Sequence, residues 1–270
     1  MKISISNIAW DPSEEDAVAQ IMADYGIRGV EIAPTKIWAA PDKASDDSVR
    51  EYRDYWASRK VQIVAFQSLL FGKAELEIFT SQPAREATFN YLSGIIGLAS
   101  KLGAQVLVFG SPRNRLVREM DSVQVLEIAL DFFSRIGEVA AKHEVCFCIE
   151  PNPAAYGCDF ICTAAEGREL VRRVNHSGFR LHLDTAAMTL NGEPYEEVIE
   201  DCFEWLEHFH ISEPQLGAVG RGSTDHARIA QRLRALGYNR WVSIEMRDGW
   251  TTPNTEAVRT ALEFVTNTYR

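Results

Sequence analysis

No stretch of this 270-residue chain approaches the roughly 18 consecutive apolar residues of a membrane-spanning helix. The opening MKISISNIAW lacks the apolar core of a secretion signal, so a soluble cytoplasmic protein with no membrane partner is expected. Cysteine is scarce: five, an odd number without framework spacing, which excludes a disulfide scaffold and fits a reduced compartment. Positive charge is in deficit. Lys and Arg total 28 against 38 Asp and Glu, and a net charge of −10 repels phosphate backbones, so nucleic acid is not an expected partner. With 17 Gly and 10 Pro there is too little of either for a collagen-like or low-complexity chain. No Pro/Ser/Gly-rich linker and no charge block divides the sequence, so residues 1–270 are expected to form one domain. No glycine-rich loop follows the first apolar run either; the sequence there reads NIAWDPSEED, which argues against an open dinucleotide-binding sheet.

What is present is an alternation. Short β-branched or apolar runs predict strands at Lys2–Ser6, Gly29–Ile32, Val61–Phe66, Ala104–Phe109, Val145–Ile149, Phe179–Leu183, Phe209–Ser212 and Trp241–Ile244. Between them, segments of helical period predict helices near 13–25, 46–59, 82–102, 121–142, 162–174, 194–206, 224–236 and 254–268. The helix at 82–102 shows its period in Phe89, Leu92, Ile96 and Ala99. Gly26, Gly103 and Gly237 are placed to end helices in the left-handed conformation. Ser13 with Asp16, and Thr163 with Glu166, resemble helix N-caps. Eight strand–helix units of about 34 residues require a parallel sheet and predict an α/β fold, a (β/α)8 TIM barrel.

In such a barrel the active site lies at the carboxyl ends of the strands. The fifth strand runs into IEPNP and presents Glu150; the sixth ends LDTAAM and presents Asp184. The seventh, HISEP, carries His210, and the eighth, SIEMR, presents Glu245. These four stand 34, 26 and 35 residues apart, each about one unit of the repeat, so consecutive strands send one metal-competent side chain to a shared mouth. Three crowded carboxylates repel unless a cation neutralises them. Three oxygen-bearing donors with one imidazole suit Mn²⁺, Mg²⁺ or Co²⁺ better than a thiolate zinc site.

IEPNP, LDTAAM, HISEP and SIEMR, with YGIRGVEIAPTKIW near the N-terminus, resemble the xylose-isomerase-like TIM-barrel superfamily. Within it the chain is similar to the sugar (phosphate) isomerases and epimerases that include D-tagatose 3-epimerase-like enzymes. The resemblance implies one divalent ion, Mn²⁺ first, on Glu150, Asp184, His210 and Glu245, with Glu150 and Glu245 as the acid/base pair. It also implies a carbohydrate substrate and a dimer or tetramer. Three positions depart from the epimerase pattern. Ala187 replaces a histidine, Tyr156 a glutamate and Leu216 an arginine, so the donor set is kept while its substrate surroundings change.

The chemistry such a site permits is removal of a proton beside a carbonyl, with the developing enediolate stabilised by the ion. Returning the proton to the opposite face is epimerisation, and returning it to the neighbouring carbon is isomerisation. Loss of a β leaving group is elimination, which keeps a metal-dependent lyase or dehydratase as an alternative. Substrate-binding candidates are Arg247 and Arg221 for an anionic group, Asn7, Gln67 and Asn152 for hydroxyls, Trp38 for an apolar sugar face, and Glu213 and His226 near the seventh strand. Glu31, ending the second strand, is a candidate to bond substrate or to order the Lys36 loop. His182 and His208 are expected one layer deeper, as hydrogen-bonded core residues. Cys146 and Cys148 are expected to alternate across their strand, and Cys158 and Cys162 to be packing residues. A catalytically silent sugar-binding barrel is a further alternative. DNA-repair endonucleases of this fold need additional histidines where this chain has Gln67, Phe109 and Ala187.

Overall fold

A computed structural model describes all 270 residues. In chain order the elements are β1 (Lys2–Ser6), α1 (Glu15–Asp24), β2 (Gly29–Ile32), α2 (Asp46–Ser58), β3 (Gln62–Phe66), α3 (Gln82–Leu102), β4 (Val106–Phe109) and α4 (Ser122–Lys142). There follow β5 (Cys146–Ile149), α5 (Ala164–Val174), β6 (Phe179–Asp184), α6 (Thr185–Asn191), α7 (Tyr195–Cys202), β7 (Leu206–Ser212), α8 (His226–Ala235), β8 (Trp241–Glu245) and α9 (Asn254–Tyr269). All eight strands pair in parallel with their sequence neighbours, and β1 closes on β8. The expected (β/α)8 barrel is what forms. No helix is long and apolar enough to cross a membrane.

Local chemistry explains most boundaries. At the start of α3 the Ser81 hydroxyl accepts the Ala84 N–H and Pro83 sits in the first turn, where its missing N–H costs nothing; Gly103 ends the helix at φ 82°. Thr163 and Glu166 form the reciprocal capping box expected of them. At α1 the cap differs from expectation. Asp11 pairs with Glu14 in a capping box, which opens a short 3-10 turn ahead of the helix, and Ser13 lies inside that turn. Helix α7 stops at Cys202, short of the expected 206, because Leu206 opens β7. The short α6 was not anticipated; its two turns are too few to display a period, and its N-cap is Asp184 itself.

Alternation along the strands divides the side chains into two populations. The outward set, Ile5, Phe66, Phe109, Phe147 and Leu183 among them, packs under the helices in one cluster of 67 buried apolar residues. The inward set holds only a five-residue apolar cluster, Val64, Ala65, Val106, Val108 and Cys148, on the β3–β5 side. Facing it from β6–β8, β1 and β2 are buried His182, His208, His210, Ser243, Ser4 and Glu31. A bulge between β6 and β7 makes this division work. Leu206 is opposite Leu181 and joins the outer core, while His208 is opposite His182 inside the barrel. Cys146 and Cys148 correct the expectation above: residues two apart in a strand share a face, and their Sγ atoms lie 3.8 Å apart.

Candidate functional site

The carboxyl ends of the strands surround a cavity of about 460 Å³. Glu150, Asp184, His210 and Glu245 all reach it, and one donor atom from each lies within 4.8 Å of the others. They are not level. Asp184 is opposite His210, whereas Glu245 is opposite Ser212, so the stagger of the barrel sets Glu245 further along the wall. One Asp184 oxygen caps α6 by accepting the Ala187 N–H at 2.7 Å, and the other accepts the Ser212 hydroxyl. Asn152 Nδ2 donates to Glu150 Oε2 at 3.0 Å. Gly110, just past β4, leaves room for that carboxylate: a Cβ there would collide with Glu150 Oε2.

The orientation of His210 comes from beneath. Its Nε2 lies 3.0 and 3.1 Å from the two oxygens of Glu31, a carboxylate with no solvent exposure. This leaves Nδ1 aimed upward, 3.3 Å from Glu245 Oε2 and 3.6 Å from Glu150 Oε1, buried and without a hydrogen-bond partner. Glu31 also meets His208 Nε2 at 3.3 Å, and the other ring nitrogen of His208 lies 3.2 Å from the Trp241 carbonyl oxygen. Glu31 therefore orders an imidazole pair; it is not among the residues lining the cavity, and its carboxylate hydrogen-bonds to the two histidines, not to the Lys36 loop. Lys36 donates instead to the Trp10 carbonyl oxygen at 2.6 Å.

The protein alone holds these charges uneasily. Burial pushes the Asp184 carboxyl up to about 7, helped by the neighbouring charges of Glu245 and Glu150. Burial also raises Glu245, against the opposing pull of His210. Burial disfavours the His210 imidazolium, but the charges of Glu31 and Glu245 outweigh it and hold that ring well above its ordinary value. Glu31 goes the other way. Burial would raise it, yet the His210 charge and hydrogen bonds from both histidines keep it well below the usual carboxylate range. A divalent cation fits this arrangement: it would neutralise the two raised carboxyls and use the unpartnered His210 Nδ1. The 3.3 Å gap equals, and the 3.6 Å gap slightly exceeds, the separation of about 3.3–3.4 Å between donors about 2.0–2.1 Å from one ion in a tetrahedron.

Of the expected substrate-binding residues, Gln67, Asn152 and Glu213 line the cavity. Gln67 donates to the Ser6 hydroxyl and accepts from Ser68. Glu213 is largely committed, accepting N–H groups of Gly222 and Thr224, each at 3.2 Å, and facing His226 Nε2 at 3.2 Å. The others lie outside the lining. His226 is buried behind Glu213 against the Tyr269 hydroxyl, and Asn7 Oδ1 accepts the Ala33 N–H at 2.8 Å. Trp38 packs edge-on to Tyr52 and donates to Ser48. Arg247 is exposed and stacks over Trp250, 4.8 Å from its centroid, while Arg221 lines a separate neighbouring groove. Tyr156, Ala187 and Leu216, the three departures from the epimerase pattern, all line the cavity. Reading strand ends missed Ser111, Ser212 and Gln215, which also line it. Ser212 alone carried a signal, since it lies two residues beyond His210 on the same face.

A family model described as xylose isomerase-like TIM barrel matches residues 19–268. A D-psicose 3-epimerase from Ruminiclostridium cellulolyticum is 31% identical over 113 residues, 41% of this chain and 38% of that protein, so the match spans well under half the length of that relative. Among solved structures, a D-psicose 3-epimerase from Clostridium cellulolyticum H10 with D-tagatose superposes over 100% of both chains with a TM-score of 0.83 at 19% identity. A 3-keto-D-glucoside 4-epimerase from E. coli covers 99% of each chain with a TM-score of 0.80 at 18% identity.

Proposed function

The chain belongs to the xylose isomerase-like TIM barrel family, and we propose that it is a divalent-metal-dependent isomerase or epimerase of an uncharged sugar or sugar derivative, moving a proton beside a carbonyl. The observation that carries this reading is the convergence of three carboxylate oxygens with His210 Nδ1, a buried nitrogen with no hydrogen-bond partner. An ion held by Glu150, Asp184, His210 and Glu245 would supply charge stabilisation for the oxygen that becomes negative as the proton leaves. The mixed oxygen and imidazole donors support Mn²⁺, with Mg²⁺ or Co²⁺ also compatible.

The side chains do the remaining work. Glu150 follows β5 and Glu245 ends β8, three strands away around the barrel, so they approach the cavity from different walls. A planar intermediate between them has one carboxylate to take a proton and another to return it, which is what inversion at carbon requires. Asn152 steadies Glu150 through Oε2. Val108, Ala186, Ala187 and Leu216 give the cavity apolar surface that limits water around the reacting carbon.

Charge supports a neutral substrate. Four carboxylates line the cavity, from Glu150, Asp184, Glu213 and Glu245, and no Lys or Arg does. A phosphate or carboxylate on the sugar would find no guanidinium or ammonium group there to hold it. The named substrates of the similar epimerases, D-psicose and 3-keto-D-glucosides, are uncharged keto sugars as well.

The test is solvent exchange. Manganese-loaded protein incubated in D₂O with a panel of free ketoses and keto-glycosides is expected to place deuterium on the carbon beside the carbonyl. Glu245→Gln is expected to slow exchange by ~10²–10⁴-fold, the contribution of a positioned base. Absence of exchange across the panel, with metal bound, would favour a silent sugar-binding barrel. Loss of water in place of exchange would move the reading to a lyase.

A further inference from the structure

Three histidines line the inside of the barrel, and they differ in what their ring nitrogens do. His208 is engaged at both, by Glu31 at 3.3 Å and the Trp241 carbonyl oxygen at 3.2 Å. His210 is engaged at Nε2 and free at Nδ1. His182 is engaged at neither, although its side chain has no solvent exposure. Buried polar atoms are paired in the great majority of cases, so a wholly unpartnered buried imidazole calls for a ligand. Whichever tautomer the neutral ring adopts, its one lone-pair nitrogen is uncommitted.

The direction of His182 indicates what that ligand is. Its Nε2 lies 3.5 Å from Glu150 Oε1, and the same oxygen lies 3.6 Å from His210 Nδ1. The two imidazole rings meet edge to face, with centroids 4.1 Å apart. One donor atom from each of Glu150, His182 and His210 lies within 4.8 Å of the others, in a group that excludes Asp184 and Glu245. Separations of 3.5 and 3.6 Å are too long for good hydrogen bonds, but they suit donors sharing one ion at about 2.0–2.1 Å.

We propose that the metal crevice has a second, inner station formed by Glu150, His182 and His210, in addition to the outer one formed by Glu150, Asp184, His210 and Glu245. The two share Glu150 and the single lone pair of His210 Nδ1, so one ion occupies one station at a time. The outer station offers three carboxylates and suits oxygen-preferring Mg²⁺ and Mn²⁺. The inner offers two imidazoles and one carboxylate and suits nitrogen-preferring Cu²⁺, Ni²⁺, Co²⁺ and Zn²⁺. Choice of ion thereby becomes choice of depth. An ion at the inner station is drawn toward His182, which stands one layer below His210, and leaves Asp184 and Glu245 without their cation. This inference rests on the reading that the four mouth residues bind a metal, and its test separates the two.

The full-length protein is loaded in turn with Mn²⁺ and Cu²⁺, and pulsed electron paramagnetic resonance counts the imidazoles coordinated to each ion. One nitrogen ligand is expected for Mn²⁺ and two for Cu²⁺. His182→Leu is expected to reduce the Cu²⁺ count to one and weaken Cu²⁺ binding by at least about tenfold while leaving Mn²⁺ affinity unchanged. The wild-type count stands even if that variant folds poorly, and His182→Asn provides a smaller, polar replacement. A single imidazole on Cu²⁺ in the wild type overturns the inner station while leaving the outer one intact. Two imidazoles that persist in either variant overturn it as well. Failure of both ions to bind removes the mouth site itself.

Discussion

The two faces of the same eight strands are built to different ends. Outside, between sheet and helices, lies the 67-residue apolar cluster, and aromatic rings such as Phe133 pack against Phe109 and Phe179 within 6.1 Å. Inside, apolar packing is confined to five buried residues with Cys146 and Trp241 against them, and the rest of the buried interior is polar, holding Ser4, Ser243, His208 and Glu31 as well as the side chains at the mouth. Burying apolar area is the larger source of stability, at roughly 25 cal/mol per Å², and the outer layer supplies nearly all of it. The inner face is thereby free to hold polar groups that add little net stability but fix directions. A carboxylate under His210 is of that kind, since it decides which ring nitrogen faces the cavity.

The sharpest way to break the comparison is to damage each face in turn. Phe133→Ala, in the outer layer, is expected to lower unfolding free energy by about 3–5 kcal/mol in chemical denaturation. Metal affinity, measured on the folded protein by calorimetry, should not change. A large affinity loss would mean the two faces are coupled. Gly110→Ala tests the inner face where the backbone runs closest to Glu150. The added methyl displaces the Glu150 carboxylate, whose far end yields without disturbing the backbone. Catalytic turnover is expected to fall about 10²-fold, as for a misplacement of order 1 Å, with the melting temperature nearly unchanged.

Glu31→Gln removes the charge beneath His210 and keeps the shape. Metal affinity is expected to drop about 10–100-fold, and Glu31→Asp should recover part of it if the effect is orientation. An unchanged affinity would reduce Glu31 to a buried charge of no consequence for the site. The smallest effect is in pH. Without metal, the Asp184 carboxyl is raised to about 7, so the folded protein holds a proton that the unfolded chain gives up nearer 4. Metal-free stability from this group is therefore present at low pH and lost as pH rises toward about 7. An incoming ion must displace that proton, so apparent metal affinity should weaken by up to about tenfold per unit as pH falls below about 7. A titration calorimetry series across pH checks both the sign and the midpoint.

Much of this could be read without coordinates. Strand and helix periods are local, so β1, β2 and α3 fall where the pattern of apolar residues put them, and the caps at Thr163 and Gly103 follow from short-range geometry. The convergence of Glu150, Asp184, His210 and Glu245 was legible because a barrel sends every strand end to one mouth, so sequence spacing maps onto proximity in space. Asn7, Trp38, Arg221, Arg247 and His226 were equally plausible by position but do not line the cavity. Loops after a strand are not bound by its periodicity, and partners such as Ala33, Tyr52, Trp250 and Tyr269 turn those side chains away.

The amino-acid order by itself determined the single-domain barrel and the four side chains that meet at its mouth, because each follows from repetition along the chain. The pairing of Glu31 with His208 and His210 across more than 170 residues, the unpartnered nitrogens of His182 and the absence of cations from the cavity wall were decided only by the closed tertiary structure. Hydrogen bonds and electrostatic fields act between neighbours in space, and closing the barrel is what makes those residues neighbours.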